Sequence, residues 1–402
     1  MMMATKKSSN QRTKGTLEEY RENVFSMLKG NTVALFYFYA SLSSILFEKF
    51  NAEPIIVDIN DKTSTGKTGL LKMASSIYGY HRDLVISWDT TVVNIERRAA
   101  LLNSFPLFVD DTQKGNTKDL TNFIYNFSNG QSRGRGNITG IDKMLTWRNV
   151  LLSTGENSIA TFTENKGGAG ARAITIEQPP FKKMDFTKMY DQIDKYYGTL
   201  SVAFYEQYES NKADYHKLFN QYELEYSKRA DGNDVLQRLG RSFSIIQLAG
   251  KILSDIEGFE TNHLQTCQFI YEDMRKSNKA IDKPKQALES ILSTFDTNRS
   301  SLITDHREVY RGEVIGAIRT DMIGISPSYL NREYGHEVNS LIKDWKERGF
   351  LLHDKDRAQK SVYVRSKKHM MYAIKREAVE ELGFDLFTGE LERDGQPFAL
   401  TN

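Results

Sequence analysis

Short apolar runs alternate with amphipathic stretches between residues 55 and 176. The runs have the length of strands and lie at Ile55–Ile59, Leu84–Trp88, Leu107–Val109, Asn149–Ser153 and Ala173–Ile176. The stretches between them, such as Asn94–Asn103, repeat apolar residues at helical spacing. Strands that alternate with helices predict a mainly parallel sheet with helices on both faces. The pattern therefore predicts an α/β, three-layer core, and Pro179-Pro180 ends it.

The remaining segments are mostly helical in pattern. Val33–Phe47 is uncharged and aromatic, but its 15 residues fall short of the ~20 that a bilayer requires, so it predicts a buried core helix. The predicted domains are a disordered basic arm (1–15), the α/β core with leading helices (16–181), a helical lid and connector (182–300), a C-terminal domain (301–384) and a tail (385–402).

The loop after the first strand carries the second half of a phosphate-binding motif. Its residues are Ser64, Thr65, Gly66, Lys67 and Thr68. A small-residue loop between a buried strand and a helix lets backbone N–H groups surround an oligophosphate. In such a loop the lysine reaches the β- and γ-phosphates and the threonine hydroxyl ligates Mg²⁺. The sequence therefore predicts binding of ATP with Mg²⁺.

Asp61 stands where this motif has its first glycine. That position usually requires a positive φ, which aspartate tolerates better than most residues do. We expect a modified loop, and the carboxylate leaves open whether it binds nucleotide poorly.

Two later strands end in polar residues that suit phosphate chemistry. Leu107–Val109 is followed by Asp110 and Asp111. At the carboxyl edge of a parallel sheet the first acid can hold Mg²⁺ through water, and the second can orient the attacking water. The strand Val150–Ser153 leads to Thr154 and Glu156, which would lie beside the γ-phosphate. For this last strand, an ordinary strand followed by a turn is an equal alternative.

Three groups of basic residues have no place in the core pattern. Arg133 and Arg135 lie in a glycine-rich segment that predicts a projecting β-hairpin, which either follows a nucleic-acid backbone or is a solvated charged loop. Arg172 follows a glycine run and precedes a strand, a position from which it could reach a neighbouring subunit's γ-phosphate. Arg241, on a lid helix, is either a second phosphate sensor or a member of a salt bridge.

The C-terminal region has the pattern of a winged helix. The amphipathic helix Glu337–Arg348 precedes a hairpin that begins at Phe350 and has its predicted tip at Lys355–Lys360, with Arg357 within it. Residues 335–376 contain eleven Lys and Arg against five Asp and Glu. Winged helices bind either DNA or proteins, and the charge favours DNA contacts at Lys355, Arg357 and Lys360.

Composition excludes several classes of protein. A net charge of +2 over 402 residues excludes a wholly basic nucleic-acid coat, so any such contact depends on local patches. The single cysteine, Cys267, excludes a disulfide framework and a cysteine-based zinc site, and it favours a cytoplasmic location.

The order of motifs resembles a known family. The segments STGKT, SWDTTVVNIERRAALLN, FPLFVDDTQ, NFSNGQSRGR, WRNVLLSTGE and GAGARAITIE are similar to the helicase-like ATPase domain of bacterial phages, plasmids and genomic islands. That group includes the MCM-like AAA+ replication helicases of cassette-chromosome and pathogenicity-island elements. The resemblance covers about residues 20–260.

The resemblance implies an AAA+ P-loop core, a helical lid and a ring, expected to be a hexamer, with ATP held between subunits. It assigns Lys67 and Thr68 to phosphate and Mg²⁺, and Asp110 and Asp111 to the acid pair. The sensor strand would supply Thr154 and Glu156, and the lid Arg241. Arg172 would be the finger that acts on the neighbour's ATP, and Arg133, Arg135 and Lys143 would grip DNA. Asp61 in place of Gly and Asp111 in place of Glu depart from the family and leave catalytic speed open.

The sequence therefore predicts an ATP-dependent DNA helicase of a mobile genetic element, which binds single-stranded or forked DNA and acts with other replication proteins. One alternative is an initiator or loader that remodels DNA without processive unwinding. Another is a DNA-binding scaffold that does not use nucleotide.

Overall fold

The computed structural model describes residues 13–62, 65–112, 123–124, 126–132, 136–137, 140–141, 144–159, 173–231, 233–277, 282–304, 313–353, 357–364 and 367–387. The chain divides into two compact units, residues 1–281 and 282–402. The second unit begins before the predicted connector ends, so it includes a helix that the sequence analysis assigned to the connector. The finer division into domains stays a prediction.

A five-stranded parallel sheet forms the centre of the first unit. Its strands are β1 (Ile55–Asn60), β2 (Val85–Ser87), β3 (Leu107–Asp110), β6 (Val150–Gly155) and β7 (Ala173–Ile176). Their order across the sheet is β2-β3-β6-β1-β7, and all four pairings are parallel. This confirms the predicted mixed α/β core with a parallel sheet.

Apolar side chains cover both faces of this sheet. Ile55, Val57 and Ile59 belong to one buried cluster, whereas Ile56 belongs to another. Successive residues of a strand point to opposite faces, so the consecutive apolar residues Ile55, Ile56 and Val57 require burial on both sides. The run of apolar residues in β1 therefore indicates that apolar side chains pack on both faces of the sheet.

Helices supply those layers. In chain order they are α1 (Leu17–Asn23), α2 (Thr32–Lys49), α3 (Lys67–Ser75), α4 (His81–Leu84), α5 (Val92–Leu102), α6 (Phe186–Lys195), α7 (Thr199–Ser210), α8 (Lys212–Ala230), α9 (Asp234–Ser254) and α10 (His263–Ser277). Helix α2 contains the uncharged segment Val33–Phe47, and nearly all of its residues are buried. Phe36 of α2 packs on Phe243 of α9, with ring centroids 5.4 Å apart. Within the described residues, no helix combines the length and hydropathy needed to cross a bilayer.

A short antiparallel pair lies where the sequence predicts a hairpin. Its strands are β4 (Gly136–Asn137) and β5 (Gly140–Ile141). Before and after them, Gln131 and Thr146 form an antiparallel bridge. Arg133, Arg135 and Lys143 lie outside the described residues.

The second unit combines helices with a six-stranded sheet. Its helices are α11 (Lys283–Thr297), α12 (Pro327–Tyr334), α13 (Val338–Glu347) and α14 (Arg376–Glu381). Its strands are β8 (Leu302–Ile303), β9 (Gly316–Ile318), β10 (Met322–Ile325), β11 (Leu351–Leu352), β12 (Lys360–Val364) and β13 (Lys367–Lys375). The order is β11-β13-β10-β9-β8, and β12 pairs with β13. Trp345 of α13 is fully buried and donates its indole N–H to the Pro284 carbonyl at 2.8 Å.

The hairpin of this unit differs from the predicted one. Lys360, expected at the tip, is the first residue of strand β12 and pairs with Met371 of β13. The polar residues before Lys360 suggested a turn, but the alternation of Ser361, Val362 and Tyr363 continues the strand. The tight hairpin is therefore β12–β13.

Candidate nucleotide-binding site

The phosphate-binding motif lies at the junction of β1 and α3. Gly66 precedes the first residue of α3 and has φ of 95°, in the left-handed region. This conformation favours glycine, and a Cβ here would also lie 2.5 Å from Cζ of Phe186, whose ring would have to move. The first turn of α3 then presents free backbone N–H groups, which suit an anion.

The side chain of Lys67 is hydrogen-bonded to the backbone of its own loop. Its ammonium donates to the carbonyl oxygens of Asp61 at 2.5 Å and of Lys62 at 2.7 Å. An ammonium is a compact charge with three donors and no acceptor, so it satisfies carbonyls that would otherwise face one another. The same ammonium can exchange these carbonyls for phosphate oxygens, which bind it more strongly because they are charged.

Asp110 is the centre of a hydrogen-bonded cluster. Its Oδ1 accepts from the Thr68 hydroxyl at 3.1 Å and from the Thr154 hydroxyl at 2.5 Å. The three residues come from the start of α3 and the ends of β3 and β6. The sequence analysis assigned them separately to the magnesium site, the acid pair and the sensor strand, and the structure brings them together.

The sheet order explains this meeting. Strand β6 lies between β1 and β3, with Asn60 opposite Gly155 and Val109 opposite Ser153. Parallel strands present their carboxyl ends at one edge, where ligands of open α/β sheets bind. Residues far apart in the chain therefore reach the same edge through pairing alone.

A cleft of about 440 Å³ opens at this edge. Its lining residues are Thr65, Gly66, Lys67, Thr68, Gly69, Asp110, Asp111, Thr154, Gly155, Glu156, Phe186 and Tyr190. The cleft thus contains every described residue that the sequence analysis assigned to the phosphate loop, the acid pair and the sensor strand. Its walls carry both a cation and several carboxylates, as a magnesium–phosphate site needs.

Two backbone features shape the far wall of the cleft. Asp111 has φ of 67°, one of a few left-handed residues that are not glycine. A Cβ on Gly155 would lie 1.7 Å from Oγ1 of Thr112, so the two segments after β3 and β6 touch because Gly155 has no side chain. Thr112 in turn donates to the Asn157 carbonyl at 3.1 Å.

Asp61 does not adopt the positive φ that the motif's first glycine usually requires. The left-handed residues other than glycine, within the described part of the chain, are Asn51, Asn103, Asp111 and Asp231. Asp61 is not among them, and it contributes its carbonyl to Lys67. The substitution of glycine by aspartate in the motif is therefore compatible with the folded loop.

Arg241 lies in a different environment from the cleft residues. Its guanidinium forms an ion pair with Glu223 and donates to the Phe50 carbonyl at 2.7 Å. It also lies over the Phe219 ring, 5.3 Å from the centroid. These contacts correspond to the salt-bridge alternative that the sequence left open.

Several predicted site residues fall outside the described residues: Ser64, Arg133, Arg135, Lys143, Arg172 and Lys355. Arg357 and Lys360 are described, and they belong to the second unit. Arg357 is exposed, whereas Lys360 is partly buried.

The sequence analysis missed two aromatic residues of the cleft. Phe186 and Tyr190 lie one turn apart on α6 and are both partly exposed. Burial and the charge of Asp110 raise the pKa of Tyr190. The signal was present as an aromatic pair four residues apart at the start of a helix, but this spacing is common in helices that only pack.

Tyr190 also borders a second cleft of about 620 Å³. Lys72 of α3 places its ammonium 5.0 Å from the centre of the Tyr190 ring. Further along α6, the Asp194 carboxylate accepts a hydrogen bond from His81 Nε2–H at 2.8 Å. Burial lowers the pKa of His81, and its neutral form therefore predominates at pH 7.

Asp58 lies fully buried in the middle of β1. Its Oδ2 accepts from the backbone N–H of Ile159 at 3.0 Å, whereas Oδ1 has no hydrogen-bond partner among the described residues. Burial raises the pKa of Asp58 to about 6, although the bond from Ile159 opposes the change. The carboxylate thus ties the segment after β6 to the strand before the phosphate loop.

The donor set fits Mg²⁺ better than a metal held entirely by protein. No group of three or more His, Cys, Asp or Glu in the described residues could hold a metal ion. Mg²⁺ commonly binds one or two carboxylates or hydroxyls and completes its shell with phosphates and water. Thr68 and Asp110 provide such a partial set beside the loop that would hold the phosphates.

Part of the chain matches a family model, and most of it is similar in fold to a solved structure. The family described as "Domain of unknown function (DUF927)" matches residues 1–147. No curated protein matches the chain. The fold is similar to that of an active helicase, SCCmec type IV Cch, with a TM-score of 0.73. The two chains are 18% identical, and the similarity covers 92% of this chain and 72% of the helicase.

Proposed function

We propose that this protein is an ATP-dependent DNA helicase of a mobile genetic element, built as an MCM-like AAA+ motor. The observation that carries the proposal is the Asp110 cluster, in which Thr68 and Thr154 donate to one carboxylate oxygen beside Lys67. Phosphoryl transfer needs positioned charge more than covalent chemistry, and this cleft supplies it. The similarity to the fold of an active helicase supports the proposal.

In this proposal the loop binds the triphosphate. Backbone N–H groups of Gly66 and the first turn of α3 surround the phosphates, and Lys67 leaves the Asp61 and Lys62 carbonyls for phosphate oxygens. Thr68 and Asp110 would hold Mg²⁺, which would supply positive charge to offset the charge that develops on the transferred group. Phe186 and Tyr190 line the same cleft and contact the nucleoside.

The remaining acids act on water. Asp111 and Glu156 both line the cleft close to the Asp110 cluster, and either can accept a proton from the attacking water. Thr154 bonds to Asp110, so a change at the phosphate is felt by β6 through that bond. We assign Asp111 to the orientation of water and Thr154 to the detection of phosphate loss.

The DNA contacts and the ring are inferred from the family resemblance. Arg172 completes the ATP site of a neighbouring subunit in a hexameric ring. Arg133, Arg135 and Lys143 bind the DNA backbone, and ATP hydrolysis moves the hairpin that carries them along the strand. In the second unit, proposed to be a winged helix, Lys355, Arg357 and Lys360 contact DNA. Arg241 could leave Glu223 for a phosphate when ATP binds. We place the activity in the cytoplasm, in concert with other replication proteins.

The test measures phosphate release and strand separation by the purified full chain with Mg²⁺ and ATP. We expect single-stranded DNA to accelerate hydrolysis and forked duplexes to be opened. Lys67→Ala should abolish turnover, because no other cation of the described residues lines the cleft. Lys188→Ala, at an exposed position of α6 that does not line the cleft, is the matched control and should keep it.

The action between subunits needs its own experiment. Arg172→Ala should lose turnover but still bind a fluorescent ATP analogue, and a mixture with Lys67→Ala protein should regain part of the activity. Recovery is expected only if Lys67 and Arg172 of one ATP site come from two different subunits, so that a mixed ring contains some sites with both residues intact.

The alternatives give different results in the same assays. DNA-stimulated hydrolysis without opening of duplexes of increasing length would indicate an initiator or loader. DNA binding without Mg²⁺-dependent ATP binding would indicate a scaffold, and the helicase proposal would then be wrong.

A further inference from the structure

The hairpin of β12 and β13 has one buried face and one exposed face. The strands pair with Ser361 opposite Met370, Val362 opposite His369, and Tyr363 opposite Lys368. Residues directly opposite each other in an antiparallel pair lie on the same face. Ser361, Tyr363, Lys368 and Met370 therefore share one face, which we call the outer patch.

The inner face is anchored in the second unit. Val362 and Met371 are buried in a cluster with Ile303, Ala317 and Met322. Since alternate residues point to opposite faces, burial of Val362 turns its neighbours outward. The outer patch is thus a consequence of how the hairpin is anchored.

The outer patch exposes an aromatic ring on a fixed backbone. Tyr363 is 55% exposed and Met370 is 38% exposed. The carbonyl of Tyr363 accepts from the Arg319 guanidinium at 2.7 Å, which ties this strand to the end of β9. The Ser361 hydroxyl lies 3.5 Å from the sulfur of Met370. The backbone that carries the ring is therefore held in place before a flat ligand stacks on it.

The two strands of the hairpin carry charge of one sign. The sequence from 357 to 376 contains no aspartate or glutamate, and its basic residues are Arg357, Lys360, Arg365, Lys367, Lys368, Lys375 and Arg376. Lys368 is exposed and lies directly opposite Tyr363. An anion with flat apolar groups is the ligand that complements such a surface.

We propose that the outer patch binds unpaired bases of single-stranded DNA, with one base stacked on Tyr363 and the adjacent phosphate paired with Lys368. Aromatic rings beside cations are how proteins hold single strands without reading sequence. In a duplex the base faces are already covered by their neighbours, so only an unpaired base has a face to offer the ring. The occupant is therefore single-stranded rather than duplex DNA.

This inference goes beyond the proposed function, because it assigns a base-binding surface to the second unit rather than a backbone contact. It shares with that function only the premise that the protein acts on DNA. Binding can be measured without nucleotide, so a failure of base stacking and a failure of ATP hydrolysis are distinguishable.

The test compares two fluorescent strands of about 20 nucleotides, one of thymidine and one of abasic sugar-phosphate, with the full chain in the absence of ATP. Tyr363→Ala should weaken binding to the thymidine strand about tenfold, the size of one lost stack. It should leave binding to the abasic strand unchanged. Tyr363→Phe keeps the ring and should bind both strands as the unmodified protein does.

Lys368→Ala separates charge from stacking. This variant should weaken binding to both strands by the same factor and reduce the slope of log affinity against log salt by about 0.7. Equal thermal unfolding of the variants and the unmodified protein shows that the fold is intact. If Tyr363→Ala does not fold, cross-linking of an iodouridine-containing strand to the unmodified protein decides the matter.

Cross-links at Tyr363 would support the proposal. Cross-links confined to other residues would overturn it, and so would a Tyr363→Ala variant that binds the thymidine strand as tightly as the unmodified protein. A loss that is equal on the abasic strand would show that Tyr363 contributes to the fold or to charge placement but not to stacking. A preference for duplex over single strands would also overturn it.

Discussion

The nucleotide cleft and the outer patch present chemistry in opposite ways. In the cleft, Asp110 is held by hydroxyls from two other elements and Lys67 by two carbonyls. In the outer patch, Tyr363 and Lys368 are exposed, and the backbone alone positions them. The cleft is built before its ligand arrives, whereas the patch offers a surface to which a ligand adapts.

This difference matches what each region is proposed to recognise. A phosphate group in transfer requires charges at fixed positions, because reorganisation during the reaction would raise the barrier. A DNA strand that moves past a surface requires contacts that form and break without regard to sequence. We therefore expect changes in the cleft to be large and specific, and changes in the patch to be small and sensitive to salt.

The largest effect should come from Asp110→Asn. It removes the charge that faces Thr68 and Thr154 and the proposed Mg²⁺, so turnover should fall roughly 10²–10³-fold. Asp185→Asn is the matched control, because Asp185 caps α6 by accepting from the Lys188 N–H and asparagine caps equally well. Steady-state phosphate release measures both. A fall of less than about tenfold in the Asp110 variant would show that the cleft is not preorganised around this group.

Adding a methyl group at Gly155 should disturb the wall of the cleft and lower the stability of the protein. Gly155→Ala places a methyl group 1.7 Å from Oγ1 of Thr112, so the segments after β3 and β6 must separate. We expect the free energy of unfolding to fall by roughly 3 kcal/mol, measured by denaturant titration, as overpacking of a tight contact does.

Addition of Thr112→Gly removes the clashing atoms and should recover part of that stability. If the double variant is less stable than Gly155→Ala alone, the contact between the two segments is not the cause of the loss.

Asp58→Asn should stabilise the protein above pH 6. The pKa of Asp58 is raised to about 6 from an ordinary 3.8, so the folded state keeps a proton that the unfolded state releases. Stability from this group is therefore present at low pH and is lost as pH rises from about 4 to 6, by at most about 3 kcal/mol. Asparagine removes that loss and can still accept from the Ile159 N–H.

Thermal unfolding from pH 5 to pH 8 measures this effect. The advantage of the Asp58→Asn variant should grow with pH and level off above pH 6. A difference that is constant across this range would mean that the carboxylate of Asp58 does not titrate as its burial implies.

The smallest effect should come from Arg357→Ala in the second unit. Arg357 is exposed, so it can contribute only a screened contact to a phosphate. Affinity for single-stranded DNA should fall only about twofold to fivefold, with a salt slope reduced by about 0.7. Fluorescence anisotropy at several salt concentrations measures both quantities. If Arg357→Ala lost as much affinity for single-stranded DNA as is expected for Tyr363→Ala, charge would contribute as much as base stacking to binding in this region.

Much of the first unit could be predicted from local pattern. The apolar run in β1, the helix after Gly66 and the two acids at the end of β3 are local signals, and the structure places the start of that helix and the two acids in one cleft. Phe186 and Tyr190 could not be recognised in this way, because a pair of aromatic residues on a helix becomes a cleft wall only when α6 packs on α3. The hairpin tip was misplaced because polar residues precede β12 and resemble a turn.

The sequence by itself determined the order of strands and helices, the glycine before Lys67 and the concentration of positive charge near the C-terminus. These depend on spacing, backbone freedom and composition, which neighbouring residues decide. Only the tertiary structure decided that Thr68, Asp110 and Thr154 share a hydrogen-bonded cluster, that Asp61 escapes strain, and that Tyr363 faces outward. Those facts depend on which strands pair and which faces are buried, and the free energies that select them arise from contacts between residues distant in the chain.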